Sequence, residues 1–195
     1  MKVPLHRIDT YVINLDHQKE RASRVRNELR SIGQMFQFVS AHQHTIANVG
    51  CSKSHLSVLD KMKRMSLVLE DDVRLTRNPI DVINIPDGTD AIYLGVSSWG
   101  YVRGYDRAFE GAVMCSRWDD EYKRVLNMCS THAILYVSQR YIEHSIETML
   151  MSLDEHIASD LLLASHHKDF NILTPNSPMF YQETKVDDTY LDLEC

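Results

Sequence analysis

With 195 residues, 44% of them hydrophobic, the chain has enough apolar surface for one real core and is expected to form a single domain over residues 1–195. A formal net charge of −6 argues against a nucleic-acid partner, which needs a basic stripe, but leaves room for a small anionic ligand that feels only its own site. The four cysteines, Cys51, Cys115, Cys129 and Cys195, contain no Cys-x-x-Cys pair, which disfavours a structural zinc site, and they are too sparse for a disulfide scaffold, which points to a reducing compartment.

The first sixteen residues do not read as a signal peptide, because His6, Arg7 and Asp9 interrupt a short apolar stretch. No segment approaches the roughly 18–20 apolar residues of a membrane span. A cytoplasmic location is expected, in a bacterium or in the host cytoplasm of a virus. Residues 10–15 (TYVINL) predict a strand buried on both faces. Asp16 is placed to cap the following helix, whose apolar stripe is Ala22, Val25, Leu29 and Ile32 and which Gly33 stops. Residues 36–40 predict a second strand. After a polar loop, a helix is expected from about Cys51 to Met65 with Leu56, Leu59 and Met62 inward.

Residues 66–70 (SLVLE) predict a third buried strand, and residues 90–95 (DAIYLG) another. From Val96 to Asp120 no period is visible, and the segment reads as a long surface loop whose Trp99, Tyr101, Tyr105 and Trp118 suit stacking on a ligand or plugging a core. Residues 133–137 predict a strand. Ser138 caps a helix with Ile142, Ile146, Met149 and Leu153 inward, and Asp154 is placed to cap the next, with Ile157, Leu161 and Ala164 inward. Short strands close the pattern at 170–173 and 179–181. The alternation implies an α/β sandwich with a mainly parallel sheet, whose ligands bind at the carboxyl ends of the strands. That rule puts the 14–16 turn, the acidic run after residue 69 and the Gly95 turn along one rim.

Glu70-Asp71-Asp72 ends an apolar strand, and three adjacent carboxylates there call for a positive partner. A hard divalent cation suits them, and strand alternation would point Glu70 and Asp72 together and Asp71 away. A plain acidic turn is the competing reading. Gly50-Cys51-Ser52-Lys53-Ser54-His55 opens a helix whose free amides suit an anion, or is a capping segment with a buried histidine. His132, after Ser130 and Thr131, reads as a core or turn histidine. His156 and Asp160, four residues apart, share a helix face, and Asp160 borders an apolar stripe, which suits a general base or a surface pair. No spacing selects His42, His44, His166 or His167 as ligands. Arg21 suits a diphosphate near the first strand, or a solvated face.

Tyr11-Val12-Ile13-Asn14-Leu15-Asp16 with Glu20-Arg21, Gly50-Cys51-x-x-Ser54-His55, Leu67-Val68-Leu69-Glu70-Asp71-Asp72-Val73, Tyr93-Leu94-Gly95 and Thr131-His132-Ala133 with Val137-Ser138 stand in the order of the motifs of glycosyltransferase family 25. The sequence resembles that family from residue 11 to about 182, with Ile134 where the family has tyrosine. The resemblance implies a GT-A (Rossmann-like) fold, a nucleotide-sugar donor, usually UDP-galactose or UDP-glucose, inversion at the anomeric carbon, and a divalent metal, Mn2+ or Mg2+. The acceptor is expected to be a glycan, glycolipid or glycoprotein, as in lipopolysaccharide biosynthesis.

Carried over, Ile13, Asn14 and Arg21 line the nucleotide, Ser54 and His55 support that site, and Glu70, Asp71 and Asp72 take the place of the Asp-x-Asp motif. Asp72 and Glu70 are then the metal ligands, and Asp160 or Asp154 the late aspartate that serves as base. Two other readings stay open. A metal-dependent nucleotidyltransferase also uses acidic residues at a strand end, although no Gly-rich phosphate loop follows the first strand. A non-catalytic module that binds nucleotide-sugar or glycan keeps the fold without the chemistry.

Overall fold

The apolar runs form the middle of one sheet because they have water on neither side: Val12, Leu67, Val68, Leu69, Ile92, Ile134 and Leu135 are fully shielded. The computed structural model describes residues 1–62, 65–77 and 79–183. In the first half these residues form β1 (Lys2–Pro4), β2 (Asp9–Asn14), α1 (Lys19–Ser31), β3 (Gln37–Ser40), α2 (Ala47–Leu59), β4 (Ser66–Glu70), β5 (Val73–Leu75), β6 (Val82–Asn84) and β7 (Ala91–Tyr93). In the second half they form β8 (Trp99–Tyr101), β9 (Ala108–Glu110), β10 (Met114–Arg117), β11 (Tyr122–Asn127), β12 (Ala133–Tyr136), α3 (Gln139–Glu155), α4 (Ser159–His166), β13 (Ile172–Pro175) and β14 (Phe180–Gln182).

The main sheet has eight strands in the order β10-β11-β13-β7-β12-β4-β2-β3. The fold is α/β as expected, but the sheet is mixed rather than mainly parallel. Only β2–β3, β2–β4 and β13–β7 pair in parallel. β12 runs against both its neighbours, because the chain enters it from the rim: its first residue, Ala133, pairs with Leu69 near the end of β4. That entry sets Thr131 and His132 beside the acidic run, and the Glu70 amide donates to the His132 carbonyl at 2.9 Å.

Side chains alternate along each strand and so divide between two cores. Tyr11, Ile13, Val68, Tyr93 and Ile134 pack with Val58, Leu59, Tyr141, Met149 and Leu163 from α2, α3 and α4. Val12, Leu67, Leu69, Ile92 and Leu135 pack on the other face with Val25 and Leu29 of α1. Glu70, next after Leu69, therefore faces α2.

Several local expectations change. Asp16 does not cap α1, whose N-cap is Gln18 without a side-chain bond; its carboxylate accepts from Ser40 Oγ at 2.9 Å and ties the ends of β2 and β3. Gly33 does end α1: at φ 69° it lets the Gln34 and Gly33 amides close on the carbonyls of Leu29 and Arg30. α2 begins at Ala47, four residues before Cys51, and ends at Leu59. Gly50 onward is therefore helix interior, with the Gly50 amide already bonded to the Ile46 carbonyl, and these amides are not free for an anion.

The stretch from Val96 to Asp120 holds β8, β9 and β10, and β11 follows it. Ser138 caps α3 as expected, accepting from the Tyr141 amide at 3.1 Å. Asp154 does not cap α4. It sits exposed in the last turn of α3, and Ala158 is the N-cap, without a side-chain bond.

Beneath the site lies a buried polar chain: Tyr93 OH bonds Tyr141 OH at 2.9 Å and His167 Nε2 at 3.2 Å. Burial pushes His167 down to about 3. Its folded pKa lies below the unfolded value of about 6.5, so the stability it contributes is complete above about pH 6.5 and lost as pH falls toward 3. Between those values its protonation costs about 1.4 kcal/mol per pH unit. Urea unfolding of His167→Gln from pH 7 to pH 5 is expected to show a shallower loss of stability than the wild type; parallel curves would contradict this role.

Candidate functional site

The three carboxylates at the end of β4 each meet a group from a different element. Glu70 Oε1 accepts from Thr131 Oγ1 at 2.7 Å and lies 3.1 Å from His55 Nε2 on α2. Burial pushes the Glu70 carboxyl up, but the His55 bond and charge and the Thr131 hydroxyl outweigh it and hold the group at about 2. Asp71 accepts from Arg21 of α1 at 3.2 Å; burial still leaves its pKa raised, against the pull of that guanidinium. Asp72 Oδ2 accepts from Gln182 Nε2 of β14 at 3.1 Å. Burial first, and the Glu70 charge second, push Asp72 up to about 6. The chain turns at Asp71 and Asp72, so the strand alternation that would have aligned Glu70 with Asp72 ends at Glu70, and the two take different partners.

Two clefts open beside this run. The first, of about 290 Å³, is walled by Ile13, Leu15, Ala41, Gly50 and Ala47 and edged by His42, Gln43, His44, Cys51, Ser54, His55, Glu70 and Asp71. The second, of about 180 Å³, is bounded by Trp99, Ala108, Cys129, Ser130, Thr131, His132, Asp160 and Gln182. The Thr131–Glu70 bond is the shared wall, with Thr131 on one side and Glu70 on the other.

The structure brings most of the expected site residues to this rim. Ile13, Ser54, His55, Glu70 and Asp71 line the first cleft, with Arg21 behind Asp71. Ser54 is already engaged, donating to the Gly50 carbonyl at 2.6 Å and accepting from the His42 amide at 2.8 Å, so it pins the cleft loop to α2. Asn14 is buried, donates to the Leu15 carbonyl at 2.8 Å and does not line the cleft. Asp72 reaches the second cleft only through Gln182. Asp160 lines that cleft from the first turn of α4, where it accepts from the Leu161 amide at 2.9 Å.

His156 and Asp160 do not share a helix face, because His156 ends α3 at φ 58° and α4 begins at Ser159. Asp154 lines neither cleft. His42 and His44, which no spacing selected, edge the first cleft; Gln182 gave no sequence signal, since only the β14–β5 pairing brings it here.

The buried Asp72 Oδ1 has no hydrogen-bond partner among the described residues, an orphaned anionic oxygen of the kind a hard divalent cation suits. Cys51, His55 and Glu70 form a group in which one ligand atom from each lies within 4.8 Å of the others.

No protein-family model matches the chain, and no curated protein compared with it matches. No described helix is long and apolar enough to cross a membrane.

His132 depends on Gly95. Its ring is buried, holds Ser130 Oγ at 2.8 Å, and lies so close that a Cβ on Gly95 would stand 2.1 Å from Nε2. Gly95→Ala is expected to lower stability by about 1–3 kcal/mol by displacing that ring. An unchanged urea midpoint would show that the ring moves aside freely.

Proposed function

We propose that this chain is a glycosyltransferase that moves a hexose from a nucleotide-sugar, of the UDP-galactose or UDP-glucose type, to a hydroxyl of a glycan, glycolipid or glycoprotein acceptor. One observation carries the reading: two clefts lie side by side on a rim where strands β2 and β4 end, one lined by Glu70 and Asp71 and the other by Thr131 and Asp160, with the Thr131–Glu70 hydrogen bond joining them. A transferase needs that geometry, because donor and acceptor must approach one another across a centre where charge changes hands. Sheets of this kind take ligands at their carboxyl ends. The resemblance of the motifs to family 25 supplies the substrate class.

In this reading the first cleft takes the nucleoside diphosphate. Ile13, Leu15 and Ala41 offer the base an apolar wall, and Arg21, half-exposed beside Asp71, is within reach of the phosphates. The second cleft takes the acceptor, with Trp99 as a face for a sugar ring and Asp160 as the base. The acceptor oxygen bonds to the anomeric carbon as the bond to the diphosphate breaks on the opposite face. The acceptor proton passes to the Asp160 carboxylate, and the configuration inverts. Glu70 and Asp72 would hold a cation of the manganese or magnesium class, which when bound neutralises charge on the departing diphosphate. Thr131 and His55 keep Glu70 ionised and oriented, and Gln182 orients Asp72.

Thermal stability measured with nucleotide-sugars, with and without Mn2+, tests the donor half. A UDP-hexose is expected to raise the midpoint only with the metal, and Asp72→Asn to abolish that rise. Stabilisation by nucleoside triphosphates alone would instead mark a nucleotidyltransferase, and donor binding without turnover a binding module.

The base is tested separately. Asp160→Asn is expected to lower kcat by about 10²–10⁴-fold while leaving donor binding intact. Near-normal turnover would remove Asp160 from the mechanism.

A further inference from the structure

Cys51 and His55 are four apart on α2, so both project from the same face of one helix toward the end of β4. Glu70 completes a group in which one ligand atom per residue lies within 4.8 Å of the others, and all three residues line the first cleft. The His55 Nε2 to Glu70 Oε1 separation of 3.1 Å is close to the edge of a tetrahedron whose metal–ligand bonds are about 2.0–2.1 Å. Thr131 stands behind the group, donating to Glu70 Oε1 at 2.7 Å, the position of a hydroxyl that orients a ligating carboxylate.

We propose that Cys51, His55 and Glu70 form a three-ligand site for a borderline divalent cation of the Zn2+ or Co2+ class, with its fourth coordination position open to the first cleft. Thiolate and imidazole ligands select such ions over Mg2+ and Mn2+, which prefer all-oxygen sites. Three protein ligands with one open position leave room for water or for an oxygen of a bound ligand.

Binding is balanced by proton release. The metal–sulfur bond replaces the thiol hydrogen of Cys51, whose proton goes to solvent. The imidazole proton moves from Nε2 to Nδ1, which frees Nε2 for the metal and leaves the proton on a buried atom that has no hydrogen-bond partner among the described residues. Burial, and then the charge of Glu70, push the Cys51 thiol well up, so the site fills more readily as pH rises. The site shares Glu70 with the cation seat of the proposed transferase reaction but does not rest on that reading, and its test needs no sugar substrate.

The full chain, stripped of metal with chelator, is titrated with Co2+ alone. One equivalent is expected to produce a near-ultraviolet sulfur-to-cobalt charge-transfer band. That band should disappear in Cys51→Ser and persist in Cys115→Ser and Cys195→Ser, while millimolar Mg2+ leaves it unchanged. Thr131→Val is expected to weaken Co2+ binding by about 10–100-fold. Because Cys51→Ser also changes packing in the cleft, a second measurement uses the wild type only: one equivalent of Zn2+ should slow alkylation of Cys51 by iodoacetamide at least tenfold, as mapped by mass spectrometry. No charge-transfer band, a band that survives Cys51→Ser, or alkylation of Cys51 at the same rate with and without Zn2+ would each overturn the proposal.

Discussion

Three consecutive carboxylates at the end of a strand with no water on either face are the constraint around which this rim is built. Two like charges about 4 Å apart repel by about 4 kcal/mol even in the effective dielectric of a protein surface. The chain meets that cost with partners from four separate elements: Arg21 from α1, His55 from α2, Thr131 from the segment entering β12, and Gln182 from β14. Each partner has to be delivered to the same few ångströms. The packing of α1 and α2 on opposite faces of the sheet, the reversed entry of β12 and the late return of β14 all do this.

The return of β14 is held by a second set of charges just outside the first. Arg74 bonds Glu28 at 2.9 Å and Glu183 at 2.8 Å, and Arg24 bonds Glu183 at 2.8 Å. The other Glu28 oxygen takes the Leu75 amide at 2.6 Å, and the Glu183 amide reaches the Asp72 carbonyl at 2.8 Å. Taken singly, pairs this exposed contribute about 0–1 kcal/mol. Sharing Glu28, Arg74 and Glu183 spreads the entropic cost of ordering over several bonds. The result is positional: it fixes the strand that carries Gln182, and through Gln182 the carboxylate of Asp72.

The parts of this arrangement legible in the sequence are those written in local patterns. β2, β4, β7 and β12 are short β-branched or aliphatic runs, and their buried middles lie where the runs lie. α1 announces itself through Ala22, Val25 and Leu29 and through the left-handed Gly33, and α3 through Ser138. The acidic rim followed from the alternation of strands and helices and from the rule about carboxyl ends.

What the sequence hid is long-range. The direction of β12 is set by where its chain enters, which no period records. β8, β9 and β10 are three or four residues long and partly exposed, and each is a strand because it finds a partner, β8 with β9 and β10 with β11, while β11 also pairs with β13. The start of α2 was masked because Ala47 and Val49 continue a loop of mixed polarity, while Gly50 reads as a breaker although it lies packed against the His42 carbonyl. Asp160 reached its cleft through a helix break at His156 that the four-residue spacing concealed.

The neighbouring carboxylates Glu70 and Asp72 end up with opposite electrostatic fates, and that difference decides what the rim attracts. Glu70 is compensated: His55 and Thr131 hold it near 2, so it is an anion at any pH of interest and available as a ligand. Asp72 is not: burial and the Glu70 charge raise it to about 6, and Oδ1 has no hydrogen-bond partner among the described residues. Environments that push two adjacent acids apart give them separate roles. A hard cation gains most at Asp72, where it relieves a charge the protein has left exposed to its neighbour. At Glu70 a hard cation shares the carboxylate with an imidazole and a hydroxyl already in place, whereas a borderline ion also gains the sulfur of Cys51 and the nitrogen of His55. The same three-residue run thus offers two environments, a buried oxygen at Asp72 that touches the second cleft only through Gln182 and a mixed sulfur, nitrogen and oxygen group at Glu70 that lines the first, and the sorting between them follows from which carboxylate the fold neutralises.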